Sequence, residues 1–227
     1  GRQRLADQFG REVVFHGANV VAKGYPWHPS RGNFTWDDSF VAHDMEVMRE
    51  LGLNAIRLGA MWPGVEPVRG QYNASYLNVL RDIVAESAGY GIYSLLDMHQ
   101  DVLADRFCGE GVPTWAAIPN TTDFPWPLGG SPYNTTPGGM PDPYGPQCGE
   151  HPWAEYYPTR AVGEAFQNLY SDAYGLTQSW GQFWVTVAES VGSKLGAAVL
   201  GYELINEPWA GDVWSNPLLM APTVADK

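Results

Sequence analysis

The sequence predicts an α/β fold, a parallel sheet with helices outside it. Three observations point there: four apolar runs of strand length, helical stripes between them, and polar residues gathered where those runs end. Val13-Val14-Phe15, continuing to Gly17-Ala18-Asn19-Val20-Val21, reads as the first strand. Thr35 and Asp38 then have the form of a capping box, followed by Val41, Met45 and Met48 at helical spacing, with Leu51-Gly52 closing the helix. Asn54 to Gly59 is the second strand, and Tyr76, Leu77, Leu80, Ile83 and Val84 form the next helical stripe, ended near Gly89 and Gly91. Ile92 to His99 is the third strand. Helical periodicity returns with Phe166, Leu169 and Tyr170, then Trp180, Phe183, Trp184 and Val187, before a fourth strand over Ala198 to Ile205.

Between the third strand and that periodicity, from about 100 to 158, Pro, Gly, Thr and Asn dominate. Inserted loops of this length are rare in compact domains and are often functional. This one is expected to shape a cleft or meet a lipid surface, or else to be a plain surface excursion. Cys108 and Cys148, the only cysteines, bracket it. In an oxidising compartment they would form one disulfide, stabilising by roughly 3–4 kcal/mol; in a reducing one they would be two buried thiols.

The charge balance is 13 Lys+Arg against 25 Asp+Glu, a net −12, which leaves no cationic excess for nucleic acid. No apolar run approaches the ~18 residues of a membrane span. Ten Trp and twelve Tyr are a heavy aromatic load, usable as core filler or as stacking faces for sugar rings. N-x-S/T acceptors occur at Asn33, Asn73, Asn120 and Asn134, which with the two cysteines leans towards a secreted or lysosomal-lumen glycoprotein. The sequence begins with neither Met nor a signal peptide, so the true N-terminus is expected to be removed or not included.

The unusual residues fall at strand C-termini, where parallel sheets do chemistry. Arg57 lies within an apolar strand, so its guanidinium either pairs with a carboxylate or escapes to solvent. Asp97, His99 and Asp101 alternate, which on a continuing strand places them on one face. Asn206-Glu207-Pro208 ends the fourth strand. One chemistry for this set is metal-dependent hydrolysis with Asp97, His99 and Asp101 as ligands, but His16, His28, His43 and His151 lack ligand spacing. The other is glycoside hydrolysis by two carboxyls, with Glu207 as a partly buried acid and Asn206 at the sugar 2-hydroxyl.

Ile56-Arg57-Leu58, Asp97-Met98-His99-Gln100-Asp101 and Asn206-Glu207-Pro208 resemble the first half of a glycoside hydrolase family 5 (β/α)8 TIM barrel. Within that family the similarity is to the endoglycoceramidases. It is carried by Gly17 to Lys23, Arg57 to Pro67, Leu96 to Asp105, Gly109-Glu110-Gly111-Val112-Pro113 with Trp115, and Gly201 to Trp209. The resemblance implies retaining hydrolysis of the β-glucosidic bond between oligosaccharide and ceramide, with no cofactor and no metal. Glu207 matches the general acid/base, Asn206 its neighbour, and Arg57 the arginine that steadies the nucleophile. His99, Asp101 and Lys23 match sugar-binding positions. Trp62, Glu66 and Trp115 belong to matching motifs without an implied role, and Asp97 reads as support for the strand end.

The family's nucleophilic Glu lies near a later strand, so no residue of this chain is expected to fill that role, and Glu150, Glu155 and Glu164 lack its setting. On this reading residues 1–227 are an incomplete catalytic domain of about four βα units, inactive and poorly folded when expressed alone. The expected partner is a glycolipid or another β-glucoside, met at a membrane surface through the substrate. Two further readings stand beside this one: a β-glucosidase of the same family acting on glucosylceramide, steryl glucoside or a glucan, and a non-catalytic glycolipid-binding protein.

Overall fold

The computed structural model describes residues 4–6, 9–121, 123–129 and 146–221. Asn134 and part of the inserted loop lie outside the described residues. Four strands, β1 (Gly17–Val20), β2 (Ala55–Gly59), β3 (Tyr93–Asp97) and β4 (Val199–Glu203), form one all-parallel sheet in the order β1-β2-β3-β4. Sequential order with helices in the crossovers is what consecutive units of a (β/α)8 barrel present. Each strand is shorter than its predicted run: β1 omits Val13-Val14-Phe15 and Val21, and β2 omits Asn54. β3 and β4 lose residues at both ends, the larger share where the chain leaves the sheet.

The helices are α1 (Ala42–Glu50), α2 (Trp62–Val65), α3 (Ala74–Gly89), α4 (Arg160–Tyr170) and α5 (Leu176–Val187). Asn73 starts α3: its side-chain oxygen accepts from the Ser75 and Tyr76 N–H groups at 3.1 and 3.2 Å. The helix then buries Leu80, Ile83 and Val84 against Ile56, Leu58 and Leu96 of the sheet's outer face, while β1 and β4 are the two edge strands. Leu169, Phe166, Phe183 and Val187 continue the same core on α4 and α5.

Three expectations are corrected. Thr35 donates to Asp38 within a turn, and α1 begins later, where the Asp44 carboxylate accepts from the Val41 N–H at 2.8 Å. The helical periodicity after residue 158 belongs to two helices, broken at Asp172, Tyr174 and Gly175, which all have positive φ. The start of the inserted loop is core rather than excursion: Val102, Leu103, Ala104, Phe107, Val112, Ala116 and Ala117 are buried. Cys108 and Cys148 are joined in a disulfide with Cα atoms 5.4 Å apart. Further on, the Glu164 carboxylate on α4 accepts from the Asn120 and Thr121 N–H groups at 2.9 and 2.8 Å, fastening the loop to a helix.

The unassigned motif residues are architectural. The buried Glu66 carboxylate accepts from the Trp62 indole at 2.8 Å and from the Gly70 N–H at 2.7 Å. Its backbone oxygen accepts from the Trp115 indole at 3.1 Å. Among the described residues no helix is long and apolar enough to cross a membrane.

Candidate active site

The parallel register sets the site. Gly59, Asp97 and Glu203 are neighbours across β2, β3 and β4, and Arg57 lies two residues before Gly59 on the same face. Two adjacent inward carboxylates repel, and burial itself pushes the Asp97 carboxyl above the usual range. The Arg57 guanidinium resolves this. It donates through Nε to Glu203 Oε2 at 2.7 Å, and through Nη2 to Glu203 Oε1 and Asn206 Oδ1, both at 2.8 Å. Nη2 also lies 3.0 Å from Asp97 Oδ2. The hydrogen bond to Glu203 raises Arg57 above its ordinary value, and the same bond holds Glu203 below the usual carboxylate range. Arg57 therefore pairs rather than escapes.

His99 and Asp101 come after β3 has ended, yet they converge with Asp97. His99 Nδ1 is 2.9 Å from Asp97 Oδ2, and Nε2 is 3.5 Å from Asp101 Oδ2. Burial favours the neutral ring, but the two carboxylates outweigh it and push His99 up to about 9. With its Nδ1 proton given to Asp97, the 3.2 Å approach of Arg57 Nη1 is two donors converging on one carboxylate. Asp101 also pairs with the Lys23 ammonium, which arrives on the chain after β1. Burial alone would raise Asp101; the bonds from His99 and Lys23 hold it well below the usual range.

Asn206 and Glu207 are positioned through their backbone. The Trp180 and Trp184 indoles of α5 both donate to the Leu204 oxygen, at 3.2 and 3.1 Å. The Asn206 N–H donates to Met98 O at 3.1 Å, and the Asn206 amide donates to Gln100 O at 2.9 Å. Gln100 Nε2 returns bonds to the Asn206 and Glu207 oxygens at 2.7 and 3.0 Å. This clamp turns the chain at Glu207, whose φ of 40° is left-handed and costs about 1–3 kcal/mol in a non-glycine residue. The turn keeps Glu207 close enough to the site for its charge to help raise Arg57. Glu207 is exposed at this open end of the four-stranded sheet. Asn206 is buried, with one amide proton still uncommitted for a ligand.

Of the sequence-predicted residues, Arg57, His99, Asp101, Lys23 and Asn206 come together at one end of the sheet, with Glu207 next to Asn206. Asn33, Asn73 and Asn120 are exposed and belong elsewhere on the surface or at a helix start. Sequence reading missed Glu203, Gln100 and Glu110. The signal for Glu203 was present, since it is the one acid inside the fourth apolar run and Arg57 required a carboxylate. Glu110 lies 3.2 Å from Lys23 Nζ. Single ligand atoms of His99, Asp101 and Glu110 come within 4.8 Å of one another, but the Lys23 ammonium contacts both carboxyls and supplies the positive charge there. An aromatic line runs outward from this end: Tyr157 packs on Trp209 at 5.7 Å and on the half-exposed Trp153 at 5.9 Å.

Comparison with known proteins places this geometry. The chain is 48% identical to an endoglycoceramidase of Cyanea nozakii over 99% of its length, covering 44% of that protein. It is also 48% identical to an endoglycoceramidase of Hydra vulgaris, over 98% of the chain and 42% of the relative. The chain thus spans less than half the length of these relatives. A solved structure of endo-glycoceramidase II from Rhodococcus sp. in complex with ganglioside GM3 superposes with a TM-score of 0.69 at 25% identity, covering 96% of this chain and 45% of that one. The four-stranded sheet is accordingly part of a barrel. Residues 13–226 match the family described as cellulase (glycosyl hydrolase family 5), and the chain belongs to that family.

Proposed function

We propose that the full-length protein is a retaining β-glycosidase that separates oligosaccharide from ceramide in glycosphingolipids. The observation that carries this reading is the network from Arg57 through Glu203, Asp97 and Asn206, which fixes the Asn206–Glu207 peptide at the end of β4. Its support from comparison is the 48% identity to proteins named endoglycoceramidase. In this reading Glu207 protonates the glycosidic oxygen and then activates water. Asn206 uses its free amide proton on the sugar 2-hydroxyl. Arg57 steadies the nucleophile, a residue not assigned within these 227 positions. Lys23, Asp101 and the cationic His99 read sugar hydroxyls through charge-assisted bonds.

Two consequences accompany the reading. Residues 1–227 alone release no sugar, because retention needs a second carboxyl on the opposite side of the bond. The protein travels a secretory or lysosomal route as a disulfide-bonded glycoprotein and meets its substrate at a membrane surface. Incubation of the full-length protein with a ganglioside, glucosylceramide and a cellulose oligomer tests the reading. Intact oligosaccharide released from the ganglioside is expected. Glucose from glucosylceramide as the sole product assigns the protein to β-glucosidases of the same family, and binding without release of any sugar makes it a glycolipid-binding protein.

A further inference from the structure

Glu110 takes no part in the Arg57 network, yet it is built into the same end of the sheet. It sits in Gly109-Glu110-Gly111, pressed against the chain that follows β3. The Asp101 N–H donates to Glu110 O at 2.9 Å, and the Glu110 N–H donates to Asp101 O at 2.8 Å. Neither flanking position has room for a side chain. A Cβ at 109 would lie 1.9 Å from Asp101 O, and one at 111 would lie 2.3 Å from Gln100 Cβ, with φ at +124°. The two glycines let this segment close on β3's extension, and that closeness carries the Glu110 carboxyl in beside Asp101. There Oε1 stands 3.2 Å from Lys23 Nζ, with the side chain only 14% exposed against 53% for Lys23.

We propose that Glu110 is a positioning residue for sugar binding: with Asp101 it pins the Lys23 ammonium, so that Lys23 and Asp101 are held ready for neighbouring hydroxyls of a bound sugar. The proposal rests on the glycosidase reading of this site. A half-exposed lysine loses substantial rotamer freedom on binding, and a second carboxyl that restrains it beforehand removes part of that cost. The chemistry of the trio is self-consistent. Burial, then the neighbouring Asp101, pushes Glu110 up to about 7, while the Lys23 ammonium pulls the other way. The ammonium in contact with both lets two carboxyls occupy one small space. Among the described residues, His99 faces the trio, approaching Asp101 from the β3 side at 3.5 Å.

The test compares Glu110→Ala and Glu110→Gln in the full-length protein. Lactose affinity is read by calorimetry, kcat and KM on an aryl β-lactoside, and Tm as a control. E110A is expected to weaken lactose binding about tenfold and to raise KM similarly, with kcat within threefold. E110Q, which keeps the size and presents an amide oxygen to Lys23 and an N–H to Asp101, is expected to recover both to within threefold. If E110A folds poorly, Glu110→Met fills the same space without polar atoms and carries the same expectation. Unchanged lactose affinity in E110A or E110M, equal losses in E110Q, or no lactose binding by the unaltered protein overturns the proposal. Lactose binding with these dependences but no hydrolysis of any β-glycoside keeps the positioning role and removes the glycosidase reading.

Discussion

Arg57 and Glu203 are joined by two parallel bonds, Nε to Oε2 at 2.7 Å and Nη2 to Oε1 at 2.8 Å, although their strands are not neighbours. β3 lies between β2 and β4, so the pair bridges over it and ties the second strand to the fourth. The same guanidinium reaches Asn206, three residues beyond Glu203. Sheet geometry and the strand end that carries Glu207 are thereby held by one side chain.

That bridge has a measurable strength. A double-mutant cycle with R57A and E203A in the full-length protein is expected to return a coupling of about 1–3 kcal/mol, between the values for exposed and buried pairs. Chemical denaturation of the four proteins measures it. A coupling within about 0.3 kcal/mol of zero would mean that the two bonds contribute nothing beyond what each side chain does separately.

His99 carries a pH dependence whose sign follows from its partners. Its value is raised from 6.5 to about 9 in the folded protein, so its contribution to stability is complete below about pH 6.5 and fades as pH rises towards 9. Tm of the full-length protein is expected to fall over that interval more steeply than Tm of H99Q. An imidazole NMR titration with a midpoint at or below 6.5 would remove the explanation.

The Cys108–Cys148 bond closes a long loop whose first part is core. Loop-closure entropy for a separation of 40 residues corresponds to about 4 kcal/mol, so C108S/C148S is expected to lower unfolding free energy by roughly that amount. Intact mass with and without reductant checks the bond first, and denaturation checks its contribution. Equal stability of the two forms would place the loop's order in its packing alone.

Asn73 illustrates a residue with two readings. As a helix cap it accepts from two N–H groups, so N73A is expected to cost about 1 kcal/mol. Only its oxygen is engaged there, which leaves the side-chain nitrogen open to glycosylation. Peptide mass analysis of secreted protein is expected to find glycan at one or more of Asn33, Asn73, Asn120 and Asn134, and bare asparagines at all four would contradict the secretory route.

Much of the fold was legible because apolar runs and stripes report burial directly. Leu80, Ile83 and Val84 on α3, and Leu58 and Leu96 on the sheet, lie where their spacing places them. Boundaries were less legible. Thr35 and Asp38 have the right chemistry for a helix start, but Asp44 takes the first free N–H of α1 instead. At the site, residue types at strand ends were readable, and Glu203 carried a signal as the one acid in its apolar run, whereas Glu110 carried none. Which strand Glu203 bridges to depends on cross-strand register, and the place of Glu110 depends on how closely Gly109 and Gly111 approach a neighbouring segment, which no local pattern encodes.

With Glu207 as the proton donor for bond cleavage, E207Q in the full-length protein separates two substrates. On a ganglioside, whose leaving group needs protonation, turnover is expected to fall by about 10²–10⁴-fold. On an aryl β-lactoside with a good leaving group, formation of the glycosyl-enzyme is expected to fall far less. Equal losses on both substrates, or an unchanged rate on the ganglioside, would place the acid at another residue and contradict the account.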